Sequence, residues 1–314
     1  MPAIITHHIF GEESAKELPV SIFPDKEHKL AFLLGNQGPD PFFFRFFGLP
    51  KSIAASQALG PRMHDEYIAE AFQALRDAVL ALPQEDQSLG RAFALGMLSH
   101  YALDRVAHPY VYGLQNEIIQ KNAAEMSDAT SEVHAVIESQ LDSWMLRRFR
   151  HKTVKECPPY KDLETTDRIN RVAGALLSQV AWEVFGIDLG ADEYGQAVKN
   201  MTFVYKHIEP AGSLSGTALG FIEEKARGQY SLLSSLAHEI VGDEDTPLAN
   251  VDRRPWMHPW SHRKEKDSFL DRFNAALKDY PQLAKAFIAG GPQLSRAVDN
   301  LNYEGQKDKA KTTK

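Results

Sequence analysis

A chain of 314 residues, 43% of them apolar, can bury one large core or two closely packed lobes. Its formal charge of -7 excludes a broad basic footprint for nucleic acid or for an anionic membrane surface, and the lone Cys157 excludes an intramolecular disulfide. With no basic n-region ahead of an apolar stretch, and no apolar run near the roughly 20 residues of a membrane span, a cytoplasmic protein without a signal peptide or transmembrane segment is expected.

Helical periodicity runs through most of the chain, and strand-like alternation is nearly absent. The spacing predicts helices over 65–82, 88–107, 130–149, 166–185, 194–208, 217–241 and 267–288, hence an all-α fold. The Pro-containing stretch "KECPPYKD" at 155–162 interrupts the pattern, and "GDEDTPLANVDRRPWMHPW" at 242–260 reads as a long surface loop. These breaks predict a helical core over 1–152, a helical C-terminal lobe over 153–300 packed on it, and a flexible polar tail over 301–314.

The chemistry begins at "GMLSHYALDRVAHPYVYG", residues 96–113, where an apolar, small-residue helix carries His100, Asp104 and His108. Residues i, i+4 and i+8 of a helix share a stripe about 80° wide, so the three point one way. A buried carboxylate costs several kcal/mol unless paired, and a metal cation satisfies Asp and neutral His together. An ion pair or a satisfied polar network is the plainer alternative. Pro109 disfavours helical geometry at the residue before it, which places His108 at the helix end.

A second helix offers His134 and Glu138, again at i and i+4, either as further ligands or as a solvated pair. Upstream, "LLGNQGPDPFFF" sets Asp40 between two prolines, where a rigid loop could aim its carboxylate inward or simply turn the chain. His64 stands just ahead of a helix with Asp65 as its expected N-cap, and "IITHHIFG" adds His7 and His8, ligands or surface histidines.

Taken in order, TH-x-x-FG (Thr6, His7, Phe10, Gly11), GxQGPDPFFF (Gly35 to Phe44), His64, SHYxLDRxxHPY (Ser99 to Tyr110) and HxxxE (His134 to Glu138) resemble the zinc-dependent phospholipase C family. The resemblance covers about the first 145 residues, and the family's fold is shared with zinc-dependent single-strand nucleases. It implies a multi-helix bundle, here with a helical C-terminal extension, that holds two or three zinc ions and hydrolyses phosphodiesters or phosphomonoesters. Carried over by residue, Asp40, His64, His100 and Asp104 would bind one metal, with Asp104 bridging to another. His108, His134 and Glu138 would bind a second and leave room for water. His7 would serve a third with Asp104 and solvent, since this chain begins Met1, Pro2 where secreted members use an N-terminal tryptophan. The segment between Asp104 and His108 is also shorter than its counterpart in the secreted enzymes.

His nitrogen and carboxylate oxygen suit zinc, with iron or manganese also compatible. The implied mechanism is in-line attack on phosphorus by a metal-bound hydroxide, with Asp40 and Asp104 as the catalytic carboxylates and no covalent intermediate. The expected substrate is a small phosphate ester or a phospholipid, and no nucleic-acid partner is expected. The run "FFFRFFGLP" fits core packing better than a greasy mouth for acyl chains, and "DRRPWMHPWSHR" at 252–263 is either a lid and phosphate clamp or a loop anchored by two tryptophans. Three competing readings exist. An HD-type phosphohydrolase would use His64-Asp65 but leave His108, His134 and Glu138 idle. A nuclease would want a basic, aromatic-studded groove. A non-catalytic binding protein would keep the metals only for stability. The "HEIVG" at His238 lacks the second histidine of HExxH, and neither a phosphate loop nor a GxSxG elbow occurs.

Overall fold

A computed structural model describes residues 3–122, 126, 128–227 and 231–312. Its α-helices are α1 (Ile4–Ser14), α2 (Lys26–Gly35), α3 (Pro50–Asp65), α4 (Ile68–Ala81), α5 (Gln84–Lys121), α6 (Thr130–Arg150), α7 (Asp167–Phe185), α8 (Glu193–Ile208), α9 (Leu214–Arg227), α10 (Leu232–Leu236), α11 (Phe269–Ala289), α12 (Gly291–Val298) and α13 (Lys309–Thr312). Among the described residues the only sheet is an antiparallel pair, Trp256–Met257 with Lys264–Glu265, so the fold is all-α as expected. No described helix is long and apolar enough to cross a membrane.

α5 is the axis of the molecule, about 57 Å long at 1.5 Å per residue, and α2, α4, α6, α7 and α11 all pack on it. Its middle is rich in Ala, Gly, Leu and Met because it is covered on several sides, and from Phe93 to Asp104 every residue is buried. Gly96 permits the closest approach: a Cβ there would lie 2.1 Å from the Phe32 carbonyl oxygen and 2.9 Å from Gly35 Cα on α2. At the α5 N-terminus, Asp86 is tied to Arg168 (2.9 Å) and Arg171 (2.8 Å) of α7.

Several expectations are corrected. α5 continues through Pro109 to Lys121, so His108 sits inside the helix and not at its end. Pro109 removes one backbone donor, and the disturbed turn is sheltered by the C-terminal segment: a Cβ on Gly305 would meet the Arg105 carbonyl oxygen at 2.5 Å and Pro109 Cγ at 2.9 Å. The helix expected over 65–82 begins at Ile68, and its first amides are capped by Asp308, which accepts from Tyr67 N (3.1 Å) and Ile68 N (3.0 Å). His64 and Asp65 instead close α3, and Asp65 pairs with Lys309 (2.8 Å). The helix expected over 217–241 ends at Arg227 and resumes only over Leu232–Leu236; residues 228–230 lie outside the described set.

The C-terminal segment packs against the helices through residue 308. One stripe of α5 grips it: Tyr101 Oη donates to the Leu301 carbonyl (2.9 Å), Arg105 Nη1 to the Ala297 carbonyl (3.0 Å), and the His108 ring bonds the Tyr303 carbonyl (2.8 Å). Asn302, Tyr303 and Asp308 are buried, whereas 313–314 lie outside the described residues. One continuous cluster of buried apolar residues runs from Ile4 to Tyr303, with residues on both sides of position 152 contributing to it.

Candidate metal centre

Five separate pieces of chain deliver eight side chains to one buried region. α1 brings His7, a 3-10 helix over Asp40–Phe44 brings Asp40, and the last turn of α3 brings His64. α5 contributes His100, Asp104 and His108, and α6 contributes His134 and Glu138. Three groups of potential ligands result: Asp40, His64 and His100; His7, His100 and Asp104; and His108, His134 and Glu138, with the donor atoms of each lying within 4.8 Å of one another. Asp104 stands between them. Its Oδ2 is 3.1 Å from His100 Nε2, while its Oδ1 is 3.0 Å from His7 Nε2 and 3.8 Å from His108 Nε2. His64 Nε2 is 3.1 Å and His100 Nε2 4.0 Å from Asp40 Oδ1, and Glu138 Oε1 is 3.2 Å from His134 Nε2 and 3.5 Å from His108 Nε2.

The orientation of the imidazoles is the informative feature. His64 Nδ1 donates to the Gly60 carbonyl (2.8 Å), His100 Nδ1 to the Asn36 carbonyl (3.0 Å), His108 Nδ1 to the Tyr303 carbonyl (2.8 Å) and His134 Nδ1 to Gln115 Oε1 (2.8 Å). Carbonyl oxygens only accept, so each ring carries its hydrogen on Nδ1 and turns the Nε2 lone pair inward. Metal-ligating histidines show this outer-shell pattern. Buried His100 Nε2 and His134 Nε2 make no hydrogen bond. Tetrahedral zinc with bonds of about 2.0–2.1 Å separates neighbouring ligand atoms by about 3.3 Å, and the observed spacings of 3.0–4.0 Å surround that value. The donor set therefore fits zinc.

Charge leads to the same chemistry. Burial alone would raise the Asp104 carboxyl, but the rings of His108, His100 and His7 hold it well below its ordinary range. Burial is likewise outweighed at Asp40 by His100 and His64, and at Glu138 by His134 and His108, so both carboxyls are lowered. Burial pushes His108 down, yet Asp104 and Glu138 prevail and raise it to about 9; at His134 burial prevails and the ring is lowered. Three ionised carboxylates in a dry pocket attract positive charge, either as protons on imidazole or as divalent cations. A cavity of about 20 Å³ lined by His7, Asp104, His108 and Glu138 among others has room for one water.

The motif "GNQGPD" acquires a role at nearly every position. The Asn36 carbonyl orients His100, and Gln37 Nε2 donates to the Ile4 carbonyl (3.2 Å), fixing α1. Gly38, at φ +56°, lets the backbone lie on the His100 ring, where a Cβ would come within 2.4 Å of Cδ2. Asp40 follows at the start of a 3-10 helix, where a rigid loop was expected from its two prolines.

On α6 the stripe continues beyond Glu138 to Asp142, whose oxygens accept from Ile5 N (2.9 Å) and Thr6 N (2.8 Å) and so cap the helix that carries His7. His238 Nε2 reaches the same carboxylate (3.1 Å), and its Nδ1 meets Glu209 Oε1 (2.5 Å). Burial pushes this imidazole down, but Glu209 and Asp142 raise it to about 9.

Sequence reasoning missed Asp142, Gln115 and Tyr303. Asp142 and Gln115 were legible as the next positions of the two ligand stripes, eight residues after His134 and seven after His108. Tyr303 acts through its backbone and left no signal. His8 lies apart from the cluster, 3.7 Å from Glu12 and 3.8 Å from Asp162. In the 252–263 segment, Trp256 Nε1 donates to the Asp267 carbonyl (3.1 Å) and Trp260 Nε1 to the Glu304 carbonyl (3.0 Å), while Arg253 and Arg254 pair with Asp271 and Asp252. The loop is anchored by its two tryptophans, and both arginines are engaged with carboxylates.

A protein-family model described as zinc dependent phospholipase C matches residues 6–183. No match was found among curated proteins or among solved structures. The matched region contains all eight candidate ligands, whereas Tyr303 and Asp308 lie outside it.

Proposed function

The chain belongs to the zinc-dependent phospholipase C family, its metal is zinc, and from that premise we propose that it is a phosphodiesterase acting at a cluster of at least two zinc ions. The observation that carries this reading is the set of four histidines whose Nδ1 atoms are anchored and whose Nε2 atoms converge on three ionised carboxylates. Asp40, His64 and His100 would hold one ion, His108, His134 and Glu138 a second, and His7 with Asp104 a third, with Asp104 near enough to contribute to each.

When bound, zinc lowers the pKa of a water towards about 7 and neutralises phosphoryl oxygens. The protein's own groups do the rest. The ligand stripes of α5 and α6 fix the two halves of the site on rigid helices, and Asp104 spans them. Asp40 is a poor store for a proton because its carboxyl lies below its ordinary range, so it serves as a metal ligand. The small cavity beside Asp104 and Glu138 supports catalysis over a purely structural cluster, since it admits a water. An HD-type reading is disfavoured because Asp65 pairs with Lys309 and takes no part in the cluster.

The test uses zinc-loaded Asp104→Asn and Glu138→Gln variants on an aryl phosphodiester. Each is expected to lose at least 100-fold in kcat/KM, on the scale of lost preorganised electrostatic stabilisation. Full activity in both variants would overturn the two-metal assignment.

A further inference from the structure

His7 is held differently from the other candidate ligands. Its Nδ1 makes no hydrogen bond among the described residues, whereas the Nδ1 atoms of His64, His100, His108 and His134 each meet an oxygen acceptor. The ring stacks on that of His100, with centroids 3.9 Å apart, a contact that fixes its plane and not the direction of its nitrogens. Without an outer-shell acceptor, the aim of His7 Nε2 at Asp104 Oδ1 (3.0 Å) depends on the backbone that carries it.

That backbone has no cap of its own. Ala3, at the N-cap of α1, offers no side-chain acceptor, and the first amides of the helix turn instead to Asp142: Oδ2 accepts from Ile5 N (2.9 Å) and Oδ1 from Thr6 N (2.8 Å). A carboxylate at this end also faces the positive pole of the helix. Asp142 stands one turn after Glu138 on α6, so a single rigid helix carries a ligand of the His108 group and the cap that places His7.

Asp142 is fully buried, and His238 Nε2 meets its Oδ2 at 3.1 Å. The other nitrogen of that ring meets Glu209 Oε1 (2.5 Å), and both Glu209 oxygens lie 3.3 Å from His238 N. Carboxylate, imidazole and carboxylate thus form one buried chain that ends on the first turn of α1. Glu209 and His238 lie beyond the residues matched by the family model, and neither supplies an atom to the three ligand groups. Burying three ionisable groups costs free energy that an apolar contact of the same shape would avoid, so the arrangement points to positioning and not to stability alone.

We propose that Asp142, supported by His238 and Glu209, is the positioning residue that aims His7 at the metal centre. The proposal rests on the reading of His7 as a zinc ligand.

The test is a double-mutant cycle on the full chain, read as zinc affinity in competition with a chromophoric chelator. His7→Ala identifies the zinc equivalent to which His7 contributes, weakening it and leaving the others within about twofold. Asp142→Asn keeps the size of the side chain but turns an amide group on a backbone N–H or on His238. It is expected to weaken that same equivalent about tenfold or more, on the scale of outer-shell substitutions. Glu209→Gln leaves Asp142 in place, is expected to weaken the same equivalent several-fold, and carries the test if Asp142→Asn does not fold. In the His7→Ala background neither substitution changes zinc affinity by more than about twofold, because the residue through which they act is gone. A general loss of structure would instead weaken every equivalent, with or without His7. Losses spread over all equivalents, losses that persist in His7→Ala, or full affinity in the folded variants would each overturn the proposal. So would a His7→Ala protein that binds every equivalent as tightly as the parent. Failure of the zinc-loaded parent to hydrolyse an aryl phosphodiester would sink the phosphodiesterase reading while leaving this cycle intact, so the two failures are distinguishable.

Discussion

Gln115→Leu isolates the contribution of imidazole orientation to metal binding. Gln115 Oε1 is the acceptor for His134 Nδ1 at 2.8 Å, and both residues are buried. Leucine removes the acceptor and keeps the volume. Two responses are open to the ring: to keep its hydrogen on Nδ1, unsatisfied in the interior at a cost of about 1–3 kcal/mol, or to move it to Nε2 and lose the inward lone pair. Either route weakens zinc at the His108, His134 and Glu138 group, by about 10- to 100-fold on the scale of outer-shell substitutions, or about 1.4–2.7 kcal/mol. Competition with a chromophoric chelator measures this, and one zinc equivalent should weaken while the others hold. Gln115→Glu, which restores a carboxylate acceptor, should bind at least as tightly as the parent. Equal affinities in Gln115→Leu and the parent, within twofold, would refute the claim that outer-shell carbonyls set the ligand tautomers.

Asp308→Ala removes the acceptor for the first amides of α4 and should lower the stability measured by urea unfolding by about 1–2 kcal/mol, the scale of a lost helix cap. An unchanged midpoint would show that the Asp308 cap contributes nothing to stability. His238 has its folded pKa raised to about 9 from an ordinary 6.5, so its charged form contributes stability fully below pH 6.5, and that contribution is lost as the pH rises through 9. Comparing the parent with His238→Asn, both zinc-loaded, the parent's advantage at pH 6 should shrink by roughly 3 kcal/mol at pH 9.5. A pH-independent difference would contradict a buried charged His238 between Asp142 and Glu209.

The ligand stripes were legible because they are local: His100, Asp104 and His108, or His134 and Glu138, need only 3.6-residue periodicity to share a face. The motif around Asp40 was legible as chemistry and less so as conformation, since Pro39 and Pro41 exclude a regular α-helix yet permit the 3-10 turn that forms. Pro109 misled for a physical reason. A proline costs a helix one hydrogen bond, and that cost is offset here by tertiary packing of α5 on several sides and by Gly305 against the disturbed turn. The polarity of the C-terminal segment reads as solvation, whereas the side-chain oxygens of Asn302 and Asp308 accept from backbone amides, Asn302 Oδ1 from Glu304 N and Gln306 N. Contacts made through backbone carbonyls, such as Tyr303 to His108, are independent of side-chain identity and so leave no trace in composition or spacing.

The most direct test of the account is a zinc titration of chelator-stripped protein, following hydrolysis of an aryl phosphodiester at each addition. Activity should start near zero, rise with added metal, and reach its plateau only after at least two equivalents per chain. A plateau at one equivalent, or no hydrolysis at saturating zinc, would contradict a phosphodiesterase built on metals bridged by Asp104.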